Sequence, residues 1–401
     1  MRIRPIVILP AILLFVLSSP AWALERITLH VPDKYKKGVF SEERVLEAPP
    51  GIRVSVFAAD APGARFMAAS EDGTIYLSVP SDGTVLAFPD RDGDGVADEK
   101  VVFARGLKRP HGLAFRGKKL VVAETGSLIE LEDTDNDLKA DTKRVISGDL
   151  PAGGGHWTKS IAIGPDGAIY VSGGSSCNVC IERDRRRAAV LRFTGPDAEV
   201  FATGLRNSVG MEFHPGTGEL WGVDNGRDGL GDNIPPEELN RIRKGGDYGW
   251  PYCYGDRLPD PGYGSPDRCK DTIPPAVAFQ AHSAPLGVAF GKGLKSYPKR
   301  LTESFFIALH GSWNRSVPTG YKLVAIHFKD GRPEGPPFDV VTGWLVDEDA
   351  WGRPVDALVG RDGALYLSDD RAGAIYRIYY SLAKQAGVWK LKDAGGFNFV
   401  N

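Results

Sequence analysis

The 401-residue sequence lacks a long hydrophobic run beyond its first residues, and it lacks an excess of either charge, with 49 Lys and Arg against 51 Asp and Glu. Because a bilayer-spanning helix needs about 20 consecutive apolar residues, no such helix is expected in the mature chain. Because there is no positive excess, the chain has no electrostatic footprint for a polyanion. These absences predict a protein without a transmembrane span and without a nucleic-acid partner.

The composition indicates a folded chain built from short strands. Apolar residues make up 42% and aromatic residues 10%, which is too much apolar surface for a disordered protein. The 49 Gly and 29 Pro amount to about a fifth of the chain, against about an eighth on average. Many tight turns are therefore expected, and long helices are disfavoured.

The N-terminus has the pattern of a secretory signal peptide. Arg2 and Arg4 precede a short apolar stretch at 6–17, and 21–23 (AWA) forms a small-x-small cleavage site. We predict a signal peptide at 1–23 and a secreted or periplasmic protein. An uncleaved membrane anchor is the alternative, and the shortness of the apolar stretch disfavours it.

The mature chain has four cysteines, Cys177, Cys180, Cys253 and Cys269, an even number that suits an oxidising compartment. We expect local pairing, although four cysteines permit three connectivities. Covalent haem is rejected because Ile181, rather than His, follows the Cys-x-x-Cys pair. A structural zinc site is a weaker alternative, because no His lies at ligand spacing.

An internal repeat predicts the architecture. A strand, a tight turn and a second alternating strand recur about six times, at 67–78, 111–123, 160–172, 209–221, 286–308 and 355–368. This period predicts an all-β, six-bladed β-propeller forming one domain over 24–401, with an inserted loop at about 247–282. A β-sandwich would not repeat the whole unit at this period. A short helical turn is expected around 236–240, where Pro236 precedes two acids.

Two acidic loops have the carboxylate spacing of calcium loops. The first contains Asp90, Asp92, Asp94 and Asp98 with Gly95 at the turn, and the second contains Asp133, Asp135, Asp137 and Asp141. Neither loop has the bidentate Glu of an EF-hand. We predict a structural calcium site in the first loop and, on a looser match to the pattern, in the second, with a solvated turn as the alternative.

Polar residues stand just before the repeat units, where a propeller gathers side chains at one mouth of its channel. They are His111, His156, Arg206 with Asn207, His282 with Ser283, and Arg353. A propeller that served only as a scaffold would not need such a ring.

In these segments the sequence resembles the soluble PQQ-dependent aldose sugar dehydrogenases, and more closely their sorbosone dehydrogenase-like branch. The resemblance covers nearly the whole mature chain. It depends on seven motifs in order: GGGHWTKS (153–160), SSCNVC (175–180), GLRNSVG (204–210), DNGRD (224–228), GGDYGWP (245–251), HGSWNR (310–315) and WGRPVD (351–356).

This resemblance implies that pyrroloquinoline quinone (PQQ) binds at the mouth through Ca²⁺. His156 matches the general base, which removes a hydroxyl proton while hydride passes from the sugar's anomeric carbon to the quinone. Arg206 matches the residue that binds the quinone oxygens, and Asn207 stands beside it as a cofactor hydrogen bonder. The backbone carbonyls of Gly226 and Arg227 match those that hold the calcium ion.

Arg353 matches an arginine that clamps a cofactor carboxylate, a role that suits bidentate geometry. The sequence departs from the best-known members at Val355, where they have a second arginine, and at Asn314-Arg315, where they have a lysine. Arg315 or His310 is expected to supply the missing positive charge.

The sequence therefore predicts a quinoprotein that oxidises an aldose or a sugar-derived aldehyde and passes electrons to a redox acceptor. One alternative is a metal-dependent sugar lactonase on a similar propeller, in which Asn207 and Asp224 could join a ring of metal ligands. The other alternative is a binding propeller without catalysis, because a fold alone does not imply activity.

Overall fold

A computed structural model describes residues 23–381, and these residues confirm the predicted all-β, six-bladed propeller. Each blade is built on four antiparallel strands, and the blades are numbered 1 to 6 along the chain. A two-residue strand is added to blade 3, where Gly246–Asp247 pairs in parallel with the outer strand, and to blade 5, where Arg332–Pro333 pairs with the third strand. Blade 1 comprises Met67–Ala69, Ile75–Val79, Thr84–Phe88 and Val101–Ala104. Blade 2 comprises Leu113–Arg116, Lys119–Glu124, Ser127–Glu132 and Thr142–Ser147. Blade 3 comprises Ile161–Ile163, Ile169–Gly173, Ala189–Phe193 and Ala198–Thr203.

The remaining three blades complete the ring. Blade 4 comprises Ser208–Phe213, Leu220–Asp224, Glu237–Ile242 and Val277–Phe279. Blade 5 comprises Pro285–Phe290, Ser304–Leu309, Lys322–Lys329 and Phe338–Val341. Blade 6 comprises Pro354–Val359, Leu365–Asp369, Ala374–Tyr380 and, as its outer strand, Ile52–Ala58. The sixth blade therefore joins the two ends of the described chain.

A closed ring is needed because each blade buries its apolar faces only against its neighbours. Six hydrophobic clusters fill the spaces between successive blades, including the space between blades 6 and 1. In the last of these spaces, Phe57 packs edge-to-face on Tyr366 with ring centroids 5.0 Å apart. Ring closure thus makes one continuous core from six separate sheets.

The inner strands approach one another closely around the channel. A Cβ atom added at Gly112 would lie 2.5 Å from the carbonyl oxygen of Lys159 in the next blade. A Cβ atom at Gly210 would lie 2.1 Å from the carbonyl oxygen of Leu286. Glycine at these two positions therefore permits the backbone contact between neighbouring blades.

Two sequence expectations differ from the structure in blade 4. The helical turn expected at 236–240 is wrong, because Glu237–Ile242 is a strand paired with Leu220–Asp224 on one side and Val277–Phe279 on the other. Glu237 and Glu238 are buried acceptors in this strand rather than solvated acids of a first helical turn. The segment at about 247–282 is not a loop throughout, because it contains Val277–Phe279, the outer strand of blade 4.

The other elements are short and peripheral. Their strands are Glu25–Thr28, Val45–Ala48, Gly246–Asp247, Cys253–Tyr254, Leu258–Pro259, Arg332–Pro333, Leu345–Val346 and Asp349–Ala350. Their helices are Pro266–Cys269 and Lys299–Thr302, with 3₁₀ turns at Asp33–Tyr35 and Gly38–Phe40. Over residues 23–381 no helix combines the length and the apolar character that a membrane crossing requires.

Local pairing of the cysteines is confirmed, with disulfides Cys177–Cys180 and Cys253–Cys269. The predicted signal peptide lies, except for Ala23, outside the described residues. It therefore stays a prediction.

Shortening a buried side chain where Ile52–Ala58 pairs with Ala374–Tyr380 should destabilise the whole propeller. Ile378 is fully buried in blade 6 and pairs with Val54 of the outer strand. Replacing Ile378 by Ala should lower the free energy of unfolding by about 2–5 kcal/mol, because it leaves a cavity in the core. Urea unfolding at pH 7 measures this loss, and Val346→Ala, at a side chain that is largely exposed, is the control. Equal midpoints for both variants would contradict the role of the closure.

Candidate active site

The predicted catalytic and cofactor-binding residues lie in loops at one end of the channel. In every blade the inner strand starts, and the second strand finishes, at this end, as the pairing of Ser208 with Asp224 shows. We call this end the mouth. His156, Arg206, Asn207 and Arg353 precede inner strands, and three loops that follow second strands, 174–188, 225–236 and 310–321, lie beside them.

His156 is held in one tautomer by Ser175. Its Nδ1 lies 2.8 Å from Ser175 Oγ and 3.1 Å from the Ser175 carbonyl oxygen. Because Ser175 Oγ donates its own hydrogen to the carbonyl of Cys177, at 2.7 Å, it can only accept from His156. Nδ1 therefore carries the ring proton, and Nε2 keeps its lone pair, which a general base needs.

The His156 imidazole is uncharged at neutral pH. Burial and the nearby charge of Arg206 lower its pKa to about 4, and a backbone hydrogen bond at Ser175 only partly opposes them. The general base predicted from sequence is thus present in its proton-accepting form. Hydrogen bonds to described residues involve only its Nδ1, so Nε2 is open.

Arg206 is 4% exposed and is fixed by backbone carbonyls rather than by a strong ion pair. Its Nε donates to the carbonyl of Asn178 at 2.9 Å, and one terminal nitrogen donates to Asn178 Oδ1 at 2.9 Å. The other terminal nitrogen donates to the carbonyl of Asn225 at 3.1 Å. Asp228 is its nearest carboxylate partner, at 3.5 Å. Because a guanidinium has five N–H donors, some remain for a ligand.

Asp224 fixes the backbone from which Arg206 and Asn207 project. Its carboxylate accepts hydrogen bonds from the backbone N–H groups of Arg206 at 3.0 Å and Asn207 at 2.9 Å, and from Ser208 Oγ at 2.9 Å. Burial raises its pKa to about 6 despite these donors. The carboxylate is therefore a structural anchor beneath the mouth.

Asn207 has an unused polar group in the wall of the site. Its Oδ1 is buried and has no hydrogen-bond partner among the described residues. A Cβ atom at Gly174 would lie 2.5 Å from His156 Cβ and 3.1 Å from Asn207 Oδ1. Glycine at 174 thus lets His156 and Asn207 lie close together.

Gly226 and Arg227 form the turn after the second strand of blade 4. The N–H of Gly226 donates to the buried carboxylate of Glu237 at 2.8 Å, and Arg227 pairs with Asp260 of the insertion at 2.7 Å. The neighbouring carbonyls of Asn225 and Asp228 accept side-chain hydrogen bonds. The structure therefore fixes both sides of the predicted calcium-binding turn.

Arg353 lies on the blade 5–6 side of the mouth. Its Nε donates to the carbonyl of His310 at 3.1 Å, and a terminal nitrogen donates to the carbonyl of Gly311 at 2.8 Å. His310 Nε2 lies 3.0 Å from a carboxylate oxygen of Asp370, which also pairs with Arg65 at 3.0 Å. Burial opposes ionisation of Asp370, but the hydrogen bond to His310 and the charge of Arg65 outweigh it and lower the pKa of this carboxyl group.

Arg315 holds a loop in place, whereas its neighbour Asn314 bonds to Asp228, which lies beside Arg206. The Arg315 guanidinium donates to the carbonyls of Asp232, Ala281 and Val317. Asn314 Nδ2 donates to Asp228 Oδ1 at 2.6 Å. Since these bonds use the Nε and one terminal nitrogen of Arg315, only its second terminal nitrogen is left for a cofactor.

The two acidic loops lie at the opposite end of the propeller, since each connects the third and fourth strands of its blade. The carboxylates of Asp90, Asp92 and Asp94 gather within 4.8 Å of one another, as do those of Asp133, Asp135 and Asp141. Asp98 instead accepts the backbone N–H of Arg91 at 2.8 Å. Calcium binding at these loops stays a prediction, and neither loop belongs to the mouth.

Sequence reasoning missed the residues that hold the predicted ones in place. These are Ser175, Asn178, Asp228, Asn314, Asp370 and Arg65. Most lie inside or beside the motifs quoted above, so their segments could be found from the sequence. Their partners could not, because each contact joins two loops far apart along the chain.

The family profile described as TrAA12-like matches residues 46–381, which is most of the chain. The protein belongs to the TrAA12-like family. An uncharacterized protein of Borreliella burgdorferi is 30% identical to it over 388 residues, covering 92% of this chain and 95% of that protein. A pyrroloquinoline quinone-dependent pyranose dehydrogenase of Coprinopsis cinerea is 25% identical over 278 residues, covering 55% of this chain and 37% of that enzyme.

Solved structures agree with the fold of this TrAA12-like protein. A calcium structure of a Trichoderma reesei enzyme of carbohydrate-active enzyme family AA12 has a TM-score of 0.74 and 21% sequence identity. The similarity covers 83% of this chain and 96% of that one. The family profile confirms the family resemblance inferred from the motifs, whereas the assignment to the sorbosone branch stays a prediction.

Titration of His156 tests the electrostatics of the mouth. In the protein without cofactor, NMR of labelled histidine should give His156 a pKa of about 4. The Arg206→Gln variant should raise this pKa toward the ordinary value of about 6.5, because it removes a nearby positive charge. Arg185→Gln, at an exposed arginine of the loop after Cys180, should leave it unchanged. An unaltered pKa in the Arg206 variant would show that the two side chains do not interact.

Proposed function

We propose that this TrAA12-like protein is an exported, PQQ- and calcium-dependent dehydrogenase that oxidises an aldose or a sorbosone-like sugar aldehyde. The observation that carries the proposal is that one mouth of the channel holds both His156, uncharged and with Nε2 open, and the buried Arg206. A neutral imidazole can accept a proton at neutral pH, and a permanent cation stabilises developing negative charge.

The relatives support this proposal at the level of reaction class. The Coprinopsis cinerea relative is a PQQ-dependent pyranose dehydrogenase. Since the match covers 37% of that enzyme, we carry over only sugar oxidation with this cofactor. The identity of the sugar and the sorbosone-like preference are part of our proposal.

The residues at the mouth fit a planar cofactor that carries three carboxylates and quinone oxygens. Arg206 and Arg353 each keep N–H donors beyond those given to backbone carbonyls. Asn207 has an amide oxygen without a partner among the described residues, and rotation of the amide would present its donor instead. We propose these three residues as the main PQQ ligands, with Arg315 as a further positive group. His310 is a hydrogen-bonding group only, because burial lowers its pKa to about 4 and leaves it uncharged at neutral pH, so it does not supply the positive charge expected from the sequence.

We further propose that the carbonyl oxygens of Gly226 and Arg227 hold the Ca²⁺ that links the cofactor to the protein. Oxygen ligands suit this hard cation, and carbonyls supply them without a charge on the side chain. The hydrogen bond from the Gly226 N–H to Glu237 and the ion pair between Arg227 and Asp260 fix this turn. Preformed geometry lowers the ordering cost of binding.

When bound, PQQ supplies an electrophilic quinone that accepts a hydride. The protein's part is proton transfer and electrostatic stabilisation. His156 Nε2 takes the proton of the hydroxyl on the reacting carbon, which is the anomeric hydroxyl of an aldose or a hydroxyl of the hydrated aldehyde, while Ser175 accepts from Nδ1–H and keeps the ring oriented. Arg206 would stabilise negative charge on a quinone oxygen of the bound cofactor. The electrons then leave to a soluble or membrane-bound acceptor.

Replacing His156 tests the catalytic part of the proposal. With Ca²⁺, PQQ, an aldose series and a redox dye, the His156→Ala variant should lose at least about 100-fold in kcat, because it lacks the general base. Its dissociation constant for PQQ should stay within a few-fold of that of the wild type. Dye reduction that survives in this variant would remove His156 from the mechanism, and lactone hydrolysis without PQQ would support the lactonase alternative.

Removing calcium tests whether PQQ binding depends on the site at Gly226 and Arg227 or on the acidic loops. Chelation should weaken PQQ binding by the wild type, because the ion links the cofactor to Gly226 and Arg227. An Asp92→Asn variant should keep calcium-dependent PQQ binding, since the first acidic loop lies at the opposite end of the propeller. Isothermal titration with PQQ, with and without chelator, measures both effects. Loss of PQQ binding in the Asp92 variant would place the essential ion in the acidic loop.

A further inference from the structure

The loop closed by the Cys177–Cys180 disulfide contacts the arginine of the mouth directly and reaches the histidine through Ser175. We call residues 177–180 the disulfide loop. Asn178 accepts from Arg206 twice, through its carbonyl oxygen and through Oδ1, each at 2.9 Å. The carbonyl of Cys177 accepts from Ser175 Oγ at 2.7 Å, and Ser175 in turn accepts from His156 Nδ1. One short segment therefore orients two groups that come from different blades.

The side-chain amide of Asn178 acts both as an acceptor, through Oδ1, and as a donor, through Nδ2. Its Oδ1 also accepts the backbone N–H of Asp228 at 2.9 Å, and its Nδ2 donates to the carbonyl of Asp228 at 3.1 Å. This pair of bonds ties the disulfide loop to the turn after blade 4's second strand, which contains Gly226 and Arg227. Aspartate at 178 would lack the donor, and alanine would lack both groups.

The disulfide adds a covalent restraint to a loop that hydrogen bonds also hold. Residues 174–188 form no strand or helix, but the N–H of Ser175 donates to the carbonyl of Arg206, and the carbonyl of Ser176 accepts from the N–H of Gly155, each at 2.8 Å. Glu182 accepts from the N–H and the Oγ of Ser176, at 2.5 and 2.9 Å, and the carbonyl of Val179 accepts from the Tyr263 hydroxyl at 3.5 Å. A covalent bond between Cys177 and Cys180 limits the conformations open to Asn178 whether or not these hydrogen bonds form.

We propose that the disulfide loop is a positioning element for the reaction, with Asn178 as its positioning residue. The disulfide keeps Asn178 in place, Asn178 holds the Arg206 guanidinium and the Asp228 backbone, and Cys177 fixes the tautomer of His156 through Ser175. This inference builds on the proposed function, because it assigns a task in PQQ binding and proton transfer to residues that touch neither substrate nor cofactor in that scheme.

The test compares Asn178→Ala, Asn178→Asp and the double variant Cys177→Ser/Cys180→Ser with the wild type. Asn178→Ala should weaken PQQ binding about 10- to 100-fold, the loss expected for removing a hydrogen bond to a charged group. Asn178→Asp, which keeps an acceptor for Arg206 but lacks the donor to Asp228, and the double cysteine variant, which loosens the loop, should also weaken it. Isothermal titration in the presence of Ca²⁺, without substrate, measures it. Val179→Ala, in the same loop, is the matched control and should bind PQQ as the wild type does.

A second readout needs no cofactor. In the apoprotein, NMR titration should show a higher His156 pKa in the double cysteine variant, since loosening the loop frees Arg206 and lets water reach the ring. The acid limb of the pH–rate profile should move to higher pH in parallel. The variant Cys253→Ser/Cys269→Ser removes the other disulfide, which forms no hydrogen bond with His156 or Arg206. It should lower the melting temperature without moving the His156 pKa.

The outcomes separate the two proposals. Wild-type PQQ affinity and an unmoved His156 pKa in folded Asn178 and Cys177/Cys180 variants would overturn the positioning role. If the wild type itself does not bind PQQ, the proposed function fails, and the pKa of His156 in the apoprotein still decides whether the disulfide loop positions the mouth. A melting temperature measured for every variant distinguishes these results from unfolding.

Discussion

The antiparallel pairing of Ile52–Ala58 with Ala374–Tyr380 is the interaction on which the rest of the structure depends. It joins the beginning and the end of the described chain in one sheet and so turns six sheets into a ring. Without it, blades 6 and 1 would expose the apolar faces that now pack on each other. The mouth depends on the same closure, because its side chains come from different blades and converge only when the ring is complete.

Within the ring, buried carboxylates shape the loops of the mouth. Burial in a medium of low polarity raises the pKa of Asp224 to about 6 and that of Glu237 to about 8. These groups are tolerated there because they accept backbone N–H groups of Arg206, Asn207, Gly226 and Ala284 that would otherwise be unsatisfied. Because these acids accept the backbone N–H groups, the loop carbonyls and the cationic side chains of the mouth remain available to each other and to a ligand.

The fold could be predicted from the sequence because turn chemistry and strand alternation are local. Pro165, Asp166 and Gly167 specify one tight turn, and the same unit recurs in every blade. The sequence predicts a helical turn where the strand Glu237–Ile242 lies, because its acids have the pattern of a first helical turn. The strand forms through its pairing with the strands on either side of it. The candidate site could be predicted as a set of side chains before inner strands. Asn178 could not, since its significance lies in contacts with Arg206 and Asp228, which lie on other loops.

The position of Asp224 also bears on the choice between a dehydrogenase and a lactonase. A lactonase of the kind considered would need side-chain oxygens turned toward a metal in the channel. Both carboxylate oxygens of Asp224 are instead occupied, one by Arg206 N–H and the other by Asn207 N–H and Ser208 Oγ. Among residues 23–381, side chains of His, Cys, Asp and Glu gather closely enough for a metal in the two acidic loops and around Cys177, Cys180 and Glu182.

The sulfur atoms of that last group are joined in a disulfide, so they do not offer thiolates to a metal. What the mouth presents is therefore a neutral imidazole, an amide and two guanidinium groups, with the Asp228 carboxylate beside Arg206. The two guanidinium groups attract an anion with several oxygens. This charge distribution suits a calcium ion that binds together with an anionic cofactor, and the coupling of metal and cofactor favours the dehydrogenase.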